Sequence, residues 1–161
     1  MADNFGLKIG VEGEKEFKKA LADINQSFKV LGSEMKLVSS QFDKNDKSVQ
    51  ALSARNNVLK KEIEAQRQKI ETLRSALQNA SDSFGETDRR TQSWQIQLNT
   101  AQAALNDMER ELSDNNAALE EANSNYGRAE DALEDMNREM DDVTDSADDM
   151  GDEIDDAGDA A

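Results

Sequence analysis

The sequence contains no cysteine, no proline and no histidine. Without cysteine there is no disulfide and no thiolate, and cysteine usage says nothing about redox compartment. Without histidine the commonest general base and zinc ligand is missing, and a Ser-His-Asp set cannot be assembled. Aromatic residues make up 4% of the chain and hydrophobic residues 36%. A compact globule of this size ordinarily carries more apolar material. The longest apolar runs are a few residues, too short for a membrane span or a signal-peptide core. Two classes survive these exclusions, a disordered acidic chain and an elongated helical one.

What is abundant is charge. Among 161 residues, 19 Lys+Arg face 35 Asp+Glu, a formal net charge of −16. This argues against direct nucleic-acid binding, which needs a positive footprint. Residues 1–80 carry a net +3 and residues 81–161 a net −19, with Arg138 the last basic residue. Such asymmetry marks an acidic tail.

Hydrophobic periodicity decides for helix. The residues at multiples of seven are Leu21, Phe28, Met35, Phe42, Val49, Asn56, Ile63, Ile70, Leu77, Phe84, Thr91, Leu98, Leu105, Leu112, Leu119, Tyr126, Leu133 and Met140. Three positions on in each heptad stand Phe17, Ile24, Leu31, Val38, Asn45, Leu52, Leu59, Gln66, Leu73, Ala80, Thr87, Trp94, Ala101, Met108, Asn115, Ala122, Ala129, Met136 and Val143. These are the a and d positions of a coiled coil, and a sustained seven-residue period implies a left-handed supercoil. The polar members, Asn45, Asn56, Gln66, Thr87, Thr91 and Asn115, form polar seam layers in this reading. Ordinary amphipathic helices drift out of such a frame by about 20° per heptad.

Two places offer interruptions. Residues 43–48 hold several N-cap residues, and Gly85, within 82–88, can sit just past a helix end. The seam keeps its phase across both, which favours a continuous helix, with hairpins as the structural alternative. A continuous helix from Glu14 to Ala157 would span on the order of 200 Å. Bulky Phe28, Phe42, Phe84 and Trp94 on the seam, with Asn45, Gln66 and Asn115 at d, depart from the dimer preference and favour a parallel trimer over a dimer.

The ends differ from the middle. Phe5, Leu7, Ile9 and Val11 alternate with Gly or Lys and predict a short docking strand, with a frayed terminus as the other reading. At the other end, three heptads beginning at Met140, Ala147 and Ile154 keep the seam but fill positions b, c and f with Asp. Eleven carboxylates follow Arg138 with no basic residue, so this segment is expected to fray. Asp145-Ser146-Ala147-Asp148-Asp149 lacks calcium-loop spacing and reads as a solvated acidic face. The expected architecture is therefore all-α: a strand at 1–13, a heptad coiled-coil rod over 14–138 and an acidic tail over 139–161. No catalytic, cofactor-binding or metal site is expected, since carboxylates on a rod have no cleft and no glycine cluster cradles a phosphate.

The stretch Leu7 to Leu112 resembles the tail tape measure proteins of long-tailed phages and prophages of Gram-positive hosts. The carrying strings are Ile9-Gly-Val-Glu-Gly-Glu-Lys-Glu-Phe-Lys-Lys-Ala-Leu, Ile24 to Val38, Gln41-Phe-Asp-Lys-Asn-Asp-Lys-Ser, Phe84-Gly-Glu-Thr-Asp-Arg-Arg-Thr-Gln and Leu98 to Leu112. The resemblance implies a scaffold lying in several helical copies in the tail-tube lumen. It would set tail length during assembly in the host cytoplasm and leave when the genome is delivered. It implies tail-tube protein, tail assembly chaperones and tail-tip or terminator proteins as partners. The chain is much shorter than that family, and is expected to be part of a longer protein. Relatives serve contractile tails and phage-derived bacteriocins. Competing readings are a cellular coiled-coil tether or filament protein, and an acidic nucleic-acid mimic acting through the tail.

Overall fold

The computed structural model describes the backbone of residues 5–159 and the side chains of residues 13–146. The fold is all-α, with three helices among the described residues: α1 (Phe5–Gln41), α2 (Val49–Phe84) and α3 (Arg89–Asp159). There is no strand among the described residues. The expected strand at Phe5, Leu7, Ile9 and Val11 is corrected, because all four lie in the first turns of α1. A lone strand leaves its N–H and C=O groups without an edge to pair with, whereas a helix pairs them inside the segment. The side chains of these four residues lie outside the described set.

By its internal contacts the chain divides into residues 1–119 and residues 120–161. In the first unit the helices double back on one another. Lys61 Nζ meets Glu34 Oε2 at 2.8 Å, and Lys69 Nζ donates to Asn25 Oδ1 at 3.2 Å, so α2 runs antiparallel to α1. Arg67 pairs with Glu109 at 2.9 Å and Asn56 Nδ2 donates to Asn116 Oδ1 at 2.9 Å, so α3 runs antiparallel to α2. The continuous helix expected through both interruptions is thus corrected. The chain turns at each and forms an up-down-up three-helix bundle.

Both turns are built by local chemistry. In the first, Ser48 caps α2 by accepting from the Ala51 N–H at 3.3 Å, and its own N–H donates to Asp46 Oδ1 at 2.7 Å. Arg55, two turns into α2, reaches back to the carbonyls of Asp46 (2.7 Å) and Asp43 (2.6 Å) and clamps the loop to the helix. The Ser48 backbone hydrogen bond, foremost, holds the Asp46 carboxyl below its ordinary value. In the second turn, Gly85 has φ 86° and ψ 161°, a region essentially restricted to glycine, and its N–H donates to the Ser81 carbonyl at 2.8 Å. Asp88 then accepts from the Arg90 N–H at 2.9 Å at the start of α3. The Arg90 guanidinium also lies 3.4 Å from the centre of the Phe84 ring, a cation–π contact that ties α3 back to the end of α2.

Candidate functional site

The seam residues of the first unit form its interior. On α1, Leu21 and Leu31 are buried, and Phe17, Ile24, Phe28, Met35 and Val38 are half-buried. On α2, Leu52, Asn56, Leu59, Ile63, Gln66, Ile70, Leu73 and Ala80 are buried, with Val49, Leu77 and Phe84 half-buried. On α3, Thr91, Trp94, Ala101 and Leu105 are buried, with Leu98, Met108, Leu112, Asn115 and Leu119 half-buried. Phe42, just after α1, is half-buried too. Asn45 and Thr87, expected as polar seam layers, are exposed turn residues instead, because the chain reverses where they stand. Periodicity missed Ala51, Val58, Ala65 and Ala76, which are buried on α2 off the a/d frame. The central helix touches two neighbours, so its buried face is wider than one seam. The seven-residue spacing of Ala51, Val58 and Ala65 is the signal of that second face.

The bundle interior carries polar groups that are only partly satisfied. Gln66 Nε2 donates to the Ala101 carbonyl at 2.7 Å, a buried bond across α2 and α3. Asn56 Oδ1, Thr91 Oγ1 and Asn115 Nδ2 are buried without a partner. Such groups lose hydration without recovering a hydrogen bond, so each opposes folding and favours registers that bring polar groups together. Thr91→Val keeps the branched shape and removes the orphaned hydroxyl. It is expected to stabilise the bundle by about 1 kcal/mol, seen as a higher denaturation midpoint at unchanged m-value.

Charged groups near the core are few. Burial, with the Glu111 carboxylate across the α2–α3 contact adding to it, raises the Glu62 pKa above its ordinary value. The stability contributed by protonated Glu62 is present below its unfolded value of 4.5 and is lost as pH rises through the raised folded value. Glu62→Gln is therefore expected to raise Tm at pH 7, with the gain vanishing as pH falls below the ordinary glutamate range. Asp88 behaves oppositely. The Arg90 side-chain hydrogen bond lowers its pKa to about 2, so its contribution is present above the ordinary carboxylate range and lost as pH falls through that value.

An open groove of about 450 Å³ lies where the three helices meet near the second turn, lined by Glu14, Lys18, Leu21, Arg90, Trp94 and Gln97 among others. Within it Lys18 and Glu14 pair at 2.8 Å, one turn apart on α1, and Arg90 pairs with Asp88 at 2.9 Å. Among the described residues no group of acidic side chains is disposed to hold a metal ion. No described helix is long and apolar enough to cross a membrane.

The second unit contrasts with the first. Its residues with described side chains, 120–146, belong to α3, and there the seam is open. Tyr126, Leu133, Met136, Met140 and Val143 are between 54% and 68% exposed. Local pairs, such as Arg138 with Asp135 at 2.9 Å and with Glu134 at 3.3 Å, decorate the opposite faces and leave the apolar stripe clear. This stripe is the feature of the described chain best suited to contact a macromolecule. Comparison of the chain with protein-family models, with curated proteins and with solved structures finds no match.

Proposed function

We propose that this chain is a non-catalytic structural scaffold of the phage tail tape measure type, acting through helix–helix contacts in the tail lumen. The observation that carries the reading is the set of strings from Ile9 to Leu112 that resemble that family, on a chain whose buried interior is made mostly of seam residues. The net charge of −16 suits a protein sharing a narrow lumen with DNA, since an anionic surface resists adsorption to the phosphate backbone. Self-association and contacts with tube, chaperone and tip proteins belong to this proposal. The 36 residues of α2 span only about 55 Å, so in this reading residues 13–119 serve as a folded module of the scaffold.

The test is an in-frame deletion of residues 13–119 in a lysogen whose prophage encodes the chain, with tails examined by electron microscopy and mass spectrometry. The reading predicts peptides of the chain in purified wild-type tails, and absent or aberrant tails in the deletion. Wild-type tails lacking the chain, or a deletion that leaves tail yield and length unchanged, would overturn it. A second reading, a cellular tether or filament protein, draws on the same open stripe over residues 126–143 and predicts the chain in host fractions without tails.

A further inference from the structure

We propose that the open stripe on residues 120–146 is the docking surface for the same stripe of a second copy of this chain. The inference rests on the scaffold reading's expectation of self-association and gives it a location. In the first unit the heptad seam is covered by the chain's own helices, whereas along 120–146 its large members are left more than half exposed.

Charge placement selects the occupant. Residues 120–146 hold ten carboxylates and two arginines, which would suggest a basic partner if the charges lined the stripe. They do not. Eight of the ten carboxylates fall at heptad positions b, c and f, facing away from the seam. The flanking e positions are Asn123, Glu130, Asn137 and Thr144, and the g positions are Asn125, Ala132, Glu139 and Ser146. In a parallel, in-register pair the g-to-e′ contacts are Asn125 with Glu130, Ala132 with Asn137 and Glu139 with Thr144, and none joins like charges. A basic partner would find only two acidic flanking residues to pair with, whereas an identical stripe meets no repulsion at the flanks. The outward carboxylates of two copies are kept apart by the width of the pair and are weakened by salt, the Debye length being about 8 Å at physiological ionic strength. Small Ala122 and Ala129 on the seam let the backbones approach closely.

The test is sedimentation equilibrium of the full chain, wild type and the Leu133→Asn/Met140→Asn double variant, at about 0.15 M and about 0.5 M salt. The substitutions leave net charge unchanged, and Trp94 fluorescence reports whether the bundle remains folded. The expected result is a wild-type dimer that tightens with salt, a variant whose dimer Kd is raised at least tenfold, and an unchanged Trp94 unfolding curve. The control Glu134→Gln/Asp141→Asn, on the outward face, is expected to dimerise at least as well as wild type. A wild type that associates equally with or without the stripe residues overturns this assignment and leaves self-association standing. A wild type that stays monomeric at 100-micromolar-order concentration overturns both the assignment and self-association. Association that weakens with salt also contradicts the assignment. The tail deletion tests the scaffold reading separately.

Discussion

Leu73→Ala is expected to cost about 2–5 kcal/mol of stability, whereas Leu133→Ala is expected to change it by no more than about 0.5 kcal/mol. Both leucines lie on the same seven-residue seam, and their environments are opposite. Leu73 is 0% exposed at the centre of a cluster that includes Ile70, Ala76 and Trp94, with neighbours from α1 and α3. Removing its isobutyl group leaves a cavity walled by helices that relax only partly, so the cost includes lost packing as well as lost burial. Leu133 is 54% exposed in residues 120–146 and leaves no cavity when truncated. Trp94, the single tryptophan, is buried in the same cluster as Leu73 and reports the unfolding of the bundle directly. Urea titrations of the two variants, at a concentration where the chain is monomeric, compare them on one signal. Equal losses for both would mean that the seam is covered along its whole length.

Gly85→Ala is expected to destabilise the chain by about 1–3 kcal/mol, and the sign of this effect is informative. In a continuous helix the same substitution would stabilise, because alanine is better than glycine in a helix interior by about 1 kcal/mol. In the turn, Gly85 holds φ 86° and ψ 161°. A Cβ there meets no neighbouring atom within 4 Å, so the penalty comes from the backbone conformation and not from crowding. Relief of that strain requires rotating the peptide that carries the 2.8 Å bond from the Gly85 N–H to Ser81, which loosens the end of α2. Chemical denaturation of wild type and variant measures it. A higher midpoint for Gly85→Ala would contradict the turn.

Much of the interior is legible in the sequence because side-chain burial on a helix follows a period. The heptad frame locates Leu21, Leu59, Ile63, Leu73 and Leu105, all of which are buried. Turn chemistry is legible as well, since Ser48 caps α2 and Gly85 follows its end. The two signals conflict at the interruptions, and turn chemistry wins. Phase retention favours a continuous helix, yet Phe42 to Val49 and Phe84 to Thr91 each span one heptad, so a turn of that length returns the seam in phase. The seam phase records which face of each helix is apolar, and it is silent on whether the covering helix comes from the same chain. For that reason two of the bulky residues that point to three copies, Phe84 and Trp94, pack in the core of one chain, and a third, Phe28 of α1, lies under Lys69 of α2. The open stripe is equally hidden, because Leu133 and Leu73 occupy one frame. What separates them is where α2 begins, at Val49, and that depends on the turns.

Within residues 13–119 the seam closes on itself. Spin labels at Lys60 and Arg110, both exposed and at nearby levels of the antiparallel α2–α3 pair, check this closure when labelled protein is diluted into an excess of unlabelled chain. Packed helices lie about 8–10 Å apart axis to axis, so a single label–label distance of about 20–25 Å is expected, including the label arms. A continuous helix would separate the two sites by about 75 Å at about 1.5 Å per residue, and that distance would contradict the fold described.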